Sequence, residues 1–196
     1  MRLERGFFER PTLEVARDLI GKRLVRCGED GTRVSGIIVE TEAYCGKFDE
    51  ACHSYKGKTE RTQIMFGGKG HAYIYLIYGM YHCLNLTSGL AGEPECVLIR
   101  ALEPKEGLHH MHERRGTDKH KNLCSGPGKL CIALDTPKSL NGRDLCTGET
   151  LYLEDPGDRP EVTASPRINI GYAGEAVHYP WRFTLTDSPF VSVKVK

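Results

Sequence analysis

Val34-Ser35-Gly36-Ile37-Ile38-Val39-Glu40-Thr41-Glu42-Ala43-Tyr44 is the stretch on which the fold turns. Its β-branched and small residues read as a strand, and Gly28-Glu29-Asp30-Gly31 is a turn signal joining it to a second strand-like run, Lys22 to Cys27. Side chains alternate along a strand, so Val39, Thr41 and Ala43 share a face suited to a core. Glu40, Glu42 and Tyr44 share the opposite face. Two carboxylates and a phenol in such a row are surface decoration in most strands. Only their company elsewhere in the chain gives them weight.

Working outward, Thr12 after Pro11, with Leu13, Val15, Ala16, Leu19 and Ile20, predicts a helix capped by Thr12 and stopped by Gly21. Residues 45 to 70 are polar and glycine-bearing and read as an ordered loop. His71 to Asn85 is rich in tyrosine and aliphatic residues and is broken at Gly79, and Cys96 to Leu102 is another buried strand. Pro104 to Arg115 has helical composition, and Pro127 to Leu134 is a short helix opened by Ser125-Gly126-Pro127. Further strands are expected around Leu151 to Leu153, Arg167 to Ile170 and Arg182 to Leu185. The expectation is a mixed α/β (α+β) fold: one domain over residues 1–196, with a curved, largely antiparallel sheet flanked by helices.

Composition excludes several classes. With 196 residues the chain is long enough for a proper core, and no apolar run is long enough to span a membrane. The start, Met1 to Pro11, lacks the apolar centre of a signal peptide, so the cytoplasm is expected for a bacterial source and the nucleus for a eukaryotic one. No long basic extension precedes the first helix, which suggests a catalytic core alone. Eight cysteines without a C-x-x-C pair fit free thiols better than disulfides or zinc, and no metal or cofactor is expected. His109, His110 and His112 read as surface helix residues. Net charge is only +1, but Lys56, Lys58, Arg61 and Lys69 cluster in one loop and Arg114, Arg115, Lys119, His120 and Lys121 in another.

The run from Tyr73 to Asn85 holds Tyr73, Tyr75, Tyr78 and Tyr81. Tyr78-Gly79-Met80-Tyr81 places two rings and a thioether where the ribbon must bend. Such a tip is a wedge of the kind that enters the minor groove of DNA and replaces an extruded base.

These strings, taken in order, resemble the alkyladenine (3-methyladenine) DNA glycosylase family. The match runs through Val39 to Tyr44, Ala51-Cys52-His53-Ser54, Met65-Phe66, Tyr75 to Tyr81 and Asn85. It continues through Val97 to Pro104, Ser125 to Leu130, Pro166-Arg167-Ile168 with Gly171, and Ser188 to Val191. The resemblance implies that Glu42 deprotonates the attacking water, held with Arg100 and the carbonyl of Val191. It implies that Tyr44, His53 and Tyr75 sandwich the flipped base over Asn85, which disfavours normal guanine through its exocyclic amine. Tyr78, with Met80 and Tyr81, would fill the gap in the duplex, and Thr59, Arg61 and Lys129 would contact backbone phosphates. Gly128 departs from the family, standing where serine is frequent, and the segment Thr87 to Glu95 is slightly longer than in relatives.

The implied enzyme is a monofunctional glycosylase that hydrolyses the N-glycosidic bond of 3-methyladenine, hypoxanthine or etheno-adducts, without strand cleavage, because the strings that form the pocket contain no lysine for a Schiff base. Its partner would be double-stranded DNA containing damaged purines, and it is expected to act as a monomer. A binding module without chemistry explains the tyrosines but leaves Glu42 and Arg100 idle. A metal-dependent nucleotide hydrolase would need the scattered His, Cys and Asp residues to converge.

Overall fold

The structure, a computed structural model, describes residues 1–194. Eight strands form one sheet: β1 (Arg23–Cys27), β2 (Arg33–Tyr44), β3 (Ala72–Ile77), β4 (Tyr81–Ser88), β5 (Glu95–Glu106), β6 (Leu151–Glu154), β7 (Val162–Ser165) and β8 (Arg182–Leu185). Their order is β3-β4-β5-β2-β1-β6, with β8 also on β2 and β7 on β8, and every pair is antiparallel. Four helices complete it: α1 (Arg5–Phe8), α2 (Thr12–Asp18), α3 (Leu108–Arg115) and α4 (Pro127–Leu134). The expected mixed α/β architecture with a largely antiparallel sheet is the one found.

One face of the sheet is covered by α2 and α4. Val15 and Ala16 of α2, Leu19 just after it, and Leu130, Ala133 and Leu134 of α4 pack with Ile38, Ala43, Ile74, Leu84, Leu86, Val97, Ile99 and Leu102 in a single buried cluster. Each large aliphatic side chain so buried is worth roughly 1.5–3 kcal/mol.

Two irregularities decide what the other face carries. Between β2 and β5, Ile38 pairs with Leu102, Glu40 with Ala101 and Thr41 with Ile99, so Val39 and Arg100 are each left over as bulge residues. The consequence shows in the parity of the core. Ile38 and Ala43 both face the helices, although an unbroken strand would put them on opposite sides. The bulge at Val39 makes the switch and turns Glu40 and Glu42 away from the helices, while Thr41 donates to the Ala16 carbonyl of α2 at 2.8 Å. At the same point β2 changes partner: its first half pairs with β1 and Glu40 to Glu42 pair with β8.

Several expectations need correcting. The stretch from Pro104 is not helical at its start, since β5 runs on to Glu106 and the helix begins at Leu108. Gly107, at φ 70°, makes the break, and a Cβ there would meet Val34 and the Arg33 carbonyl. Arg167 to Ile170 is not a strand; β7 lies earlier, at Val162–Ser165, and Pro166 follows it immediately. Thr12 is the first residue of its helix rather than its cap, and its hydroxyl bonds Ser88 Oγ at 2.9 Å. Lys69 does not join the surface cluster of its loop, being buried with its ammonium on the Glu93 carbonyl. Residues 45 to 70 carry two single-turn 3₁₀ segments, Gly46–Phe48 and Gln63–Phe66. No helix of the described residues is long and apolar enough to cross a membrane.

Candidate active site

Glu40 and Glu42, read in isolation as surface groups, are both fully buried. Neither is unpaired. Glu42 accepts from the backbone N–H of Ile168 at 2.7 Å on one oxygen, and from the Tyr44 hydroxyl at 2.9 Å and Arg100 at 3.3 Å on the other. An ionised carboxylate offers about four lone-pair directions, so three donors leave it able to accept from a water. Burial acts against the Arg100 cation, but the negative field of Glu42 and Glu40 outweighs it and raises its pKa above the ordinary arginine value. The guanidinium stays charged.

Tyr44 joins this pair to a cleft. Tyr44, Ala51, His53, Tyr75, Asn85, Cys96 and Tyr172 line a cleft of about 40 Å³. Four resemblance-derived base-binding residues, Tyr44, His53, Tyr75 and Asn85, thus meet in one cleft although β2, β3, β4 and a loop supply them separately. His53 stands edge-on to Tyr75 with ring centroids 4.6 Å apart, and its Nδ1 bonds the Tyr73 hydroxyl at 2.9 Å. Burial, reinforced by the nearby Arg61 cation, lowers the His53 pKa from 6.5 to about 4. The ring is neutral at working pH. Burial, and then the Glu42 charge, pushes the Tyr44 phenol well above its ordinary value, so it remains a hydrogen-bond donor.

The depressed His53 pKa has a measurable consequence. An unfolded histidine protonates near 6.5 and the folded one near 4. Stability tied to neutral His53 is therefore complete above pH 6.5 and drains away as pH falls from there towards 4. In an NMR titration the His53 ring resonances are expected to move with a midpoint near 4, and a midpoint near 6.5 would show that the ring is solvated.

Asn85, buried at the cleft floor, donates its amide to the carbonyls of Tyr73 at 3.1 Å and Cys83 at 3.5 Å. Reversing the amide would set oxygen against oxygen, so the orientation is fixed with Oδ1 towards the Cys96 thiol, 3.9 Å away.

At the sheet edge, three residues, Tyr78 to Met80, join β3 to β4; Tyr78 and Gly79 have φ of 53° and 68°, and Met80 N–H bonds the Ile77 carbonyl at 3.2 Å. This is the primed turn that matches strand twist, and it normally asks for Asn-Gly. Tyr78 takes it at a steric cost and is left 78% exposed, with Met80 at 66%. The Tyr81 ring lies on α4, where a Cβ on Gly128 would come within 3.1 Å of it, and it shares a groove with Arg115 and Lys129. The absence of a side chain at Gly128 therefore makes room for Tyr81. Thr59 and Thr62 bond one another at 3.0 Å, and Arg61 lies 4.6 Å over the Tyr75 ring and 3.4 Å from His53 Nε2. Thr59, Arg61 and Lys129 are exposed, but Lys129 stands by the wedge rather than by the cleft.

Sequence reasoning missed the group that braces the wall. Arg167 makes a two-pronged pair with Asp49, 2.6 and 2.7 Å, both side chains without exposure, and donates to the Ala43 carbonyl at 2.7 Å. Its guanidinium lies 4.8 Å over the Tyr44 ring and 5.1 Å over Trp181. Asp49 also accepts from the N–H groups of Cys45 and Ala51, so one carboxylate fastens both ends of the loop that leads to His53. Tyr172 and Cys96 were also missed; only the string Pro166-Arg167-Ile168 pointed to this region. All eight cysteines are free, five of them buried, and no group of three or more potential metal-ligating side chains occurs among the described residues.

Comparison with known proteins gives this arrangement its class. The sequence model of the methylpurine-DNA glycosylase family matches residues 6–189. A protein of Methanocella arvoryzae is 54% identical over 191 residues, covering 97% of this chain and 95% of the relative. One of Alkaliphilus oremlandii is 51% identical over 204 residues, 99% of this chain and 100% of the relative, and one of Bacillus cytotoxicus is 50% identical over 199 residues, 95% and 97%. All three are provisionally named 3-methyladenine DNA glycosylase. The molecule is a DNA glycosylase, a hydrolase of N-glycosyl bonds in the excision repair of alkylated DNA. It belongs to the methylpurine-DNA glycosylase family.

Proposed function

We propose that the chain turns an alkylated or deaminated purine, 3-methyladenine, hypoxanthine or an etheno-adduct, out of double-stranded DNA and releases it by hydrolysis, with Glu42 as general base. The observation that carries this reading is the buried Glu42–Arg100 pair, joined to the wall of an aromatic cleft through the Tyr44 hydroxyl. The flipped base lies among Tyr44, His53 and Tyr75 over Asn85. Breaking the bond to C1′ builds positive charge on the sugar. A carboxylate close by both accepts the proton of the attacking water and stabilises that charge, with Arg100 and the Val191 carbonyl holding the water. Neutral His53 and the electron-rich tyrosines suit a cationic methylpurine, each such face contributing about 0.5–2 kcal/mol.

No lysine lines the cleft, which supports hydrolysis to an abasic site without a Schiff base. Tyr78, Met80 and Tyr81 enter the duplex as the base leaves, while Thr59, Arg61 and Lys129 hold phosphates. The enzyme works as a monomer in the cytoplasm and needs no metal. Duplexes each carrying one lesion, incubated with the protein and cleaved by alkali at abasic sites, test the reading. Release of no free base from any modified purine overturns it.

The wedge has its own test. Tyr78→Asn is expected to relieve the left-handed strain and raise stability to urea by about 1 kcal/mol. The same change should weaken flipping, read as a smaller 2-aminopurine signal beside a lesion. A variant that is more stable and flips as well as wild type would show that the ring does not enter the duplex.

A further inference from the structure

Glu40 is a buried carboxylate for which the proposed reaction has no use. It accepts from Arg100 Nε at 3.0 Å, Arg182 Nε at 2.8 Å, Ser192 N–H at 2.6 Å and Ser192 Oγ at 2.9 Å. One side chain on β2 thus gathers β5, β8 and the segment after Phe190. Arg182 adds a bond to the Val193 carbonyl on the same segment. Fixing a short terminal segment in this way is more than most such segments receive.

The hydrogen bond to Ser192 fixes a peptide plane. The N–H of Ser192 and the C=O of Val191 belong to one peptide unit, and the described residues contain no cis peptide. Across a trans peptide the two bonds point in opposite directions. With the N–H held on Glu40, the Val191 carbonyl is turned away from that carboxylate, and no described residue donates to it. A carboxylate pulling on the N–H also polarises the carbonyl and strengthens it as an acceptor.

We infer that Glu40 is a positioning residue of the reaction. It holds Arg100 with one oxygen and aims the Val191 carbonyl with the other, setting two of the three groups that grip the attacking water in one rigid frame. The inference rests on the catalytic reading of Glu42, Arg100 and the Val191 carbonyl given above.

Ser192 offers a test that leaves Glu40 and the buried arginines untouched. Ser192→Ala keeps the N–H and loses only the hydroxyl, while Ser192→Pro removes the N–H itself. The substrate is duplex DNA methylated with dimethyl sulfate, with released methylpurines measured under single-turnover conditions. Ser192→Ala is expected to excise at a rate within about threefold of wild type, and Ser192→Pro about 100-fold more slowly, the scale of a misplaced reacting group. Binding of the methylated duplex should be the same for both variants and wild type, and both variants should be fully folded at the assay temperature, although Ser192→Pro, which strips Glu40 Oε2 of its donor, melts lower. Equal rates for Ser192→Pro and wild type overturn the inference. So does a loss in Ser192→Pro that follows weaker binding or unfolding at the assay temperature. Failure of wild type to release any methylpurine sinks the catalytic reading instead, so the two failures are distinguishable.

Discussion

Glu42→Gln is expected to lower the single-turnover excision rate between about 10² and 10⁴-fold while leaving lesion-duplex binding nearly unchanged. The size follows from what an amide keeps and loses. It fills the same space but cannot take a proton from water, and it brings no negative charge to the sugar as the bond opens. All three partners of Glu42 are donors in the wild-type network. The best arrangement for glutamine leaves its oxygen on the Ile168 N–H and turns its NH₂ to the Tyr44 oxygen, since a hydroxyl can reverse its role. Arg100 then loses one partner and retains Glu40. Tm measured alongside the rate separates a folding loss from a chemical one. Turnover close to wild type in a folded variant would remove Glu42 from the mechanism.

Asp49→Ala is expected to lower the free energy of unfolding by about 3–5 kcal/mol, the usual cost of removing one partner from a buried ion pair. The Arg167 cation would remain without exposure, held only by the carbonyls of Ala43 and Ala176, and the N–H groups of Cys45 and Ala51 would lose their acceptor. Asp18 supplies a control. Its pair with Arg10 is largely solvated, and Asp18→Ala is expected to cost less than about 1 kcal/mol. Urea unfolding of the two variants decides the matter: equal losses would mean that the buried pair stabilises no more than a surface one.

The sheet was legible in the sequence because residues with period-two alternation declare themselves locally. Val39, Thr41 and Ala43 were separable from Glu40, Glu42 and Tyr44 on that ground. The bulges at Val39 and Arg100 were not. They are set by how two strands about 60 residues apart fit together. Ile38 and Glu40 were the one local clue, an apolar and an acidic residue of the same parity in a strand buried on both faces. The end of β5 was misread because Glu103-Pro104-Lys105-Glu106 has the composition of a helix start; pairing with β2 overrides it. Arg167 was read as part of a strand because its partner, Asp49, lies 118 residues away. The cleft itself was accessible only through resemblance, since nothing in Tyr44, His53, Tyr75 or Asn85 alone says that they meet.

The cysteines bear on how the enzyme survives its own working conditions. An agent that methylates purines is an electrophile, and a thiolate is the most nucleophilic side chain it can meet. Burial raises the pKa of Cys45, Cys52, Cys83, Cys96 and Cys146, and lifts Cys124 and Cys131 to about 12. At neutral pH these sulfurs stay protonated and most are shielded from solvent. These seven thiols are thereby poorly reactive towards the chemicals whose damage the enzyme removes.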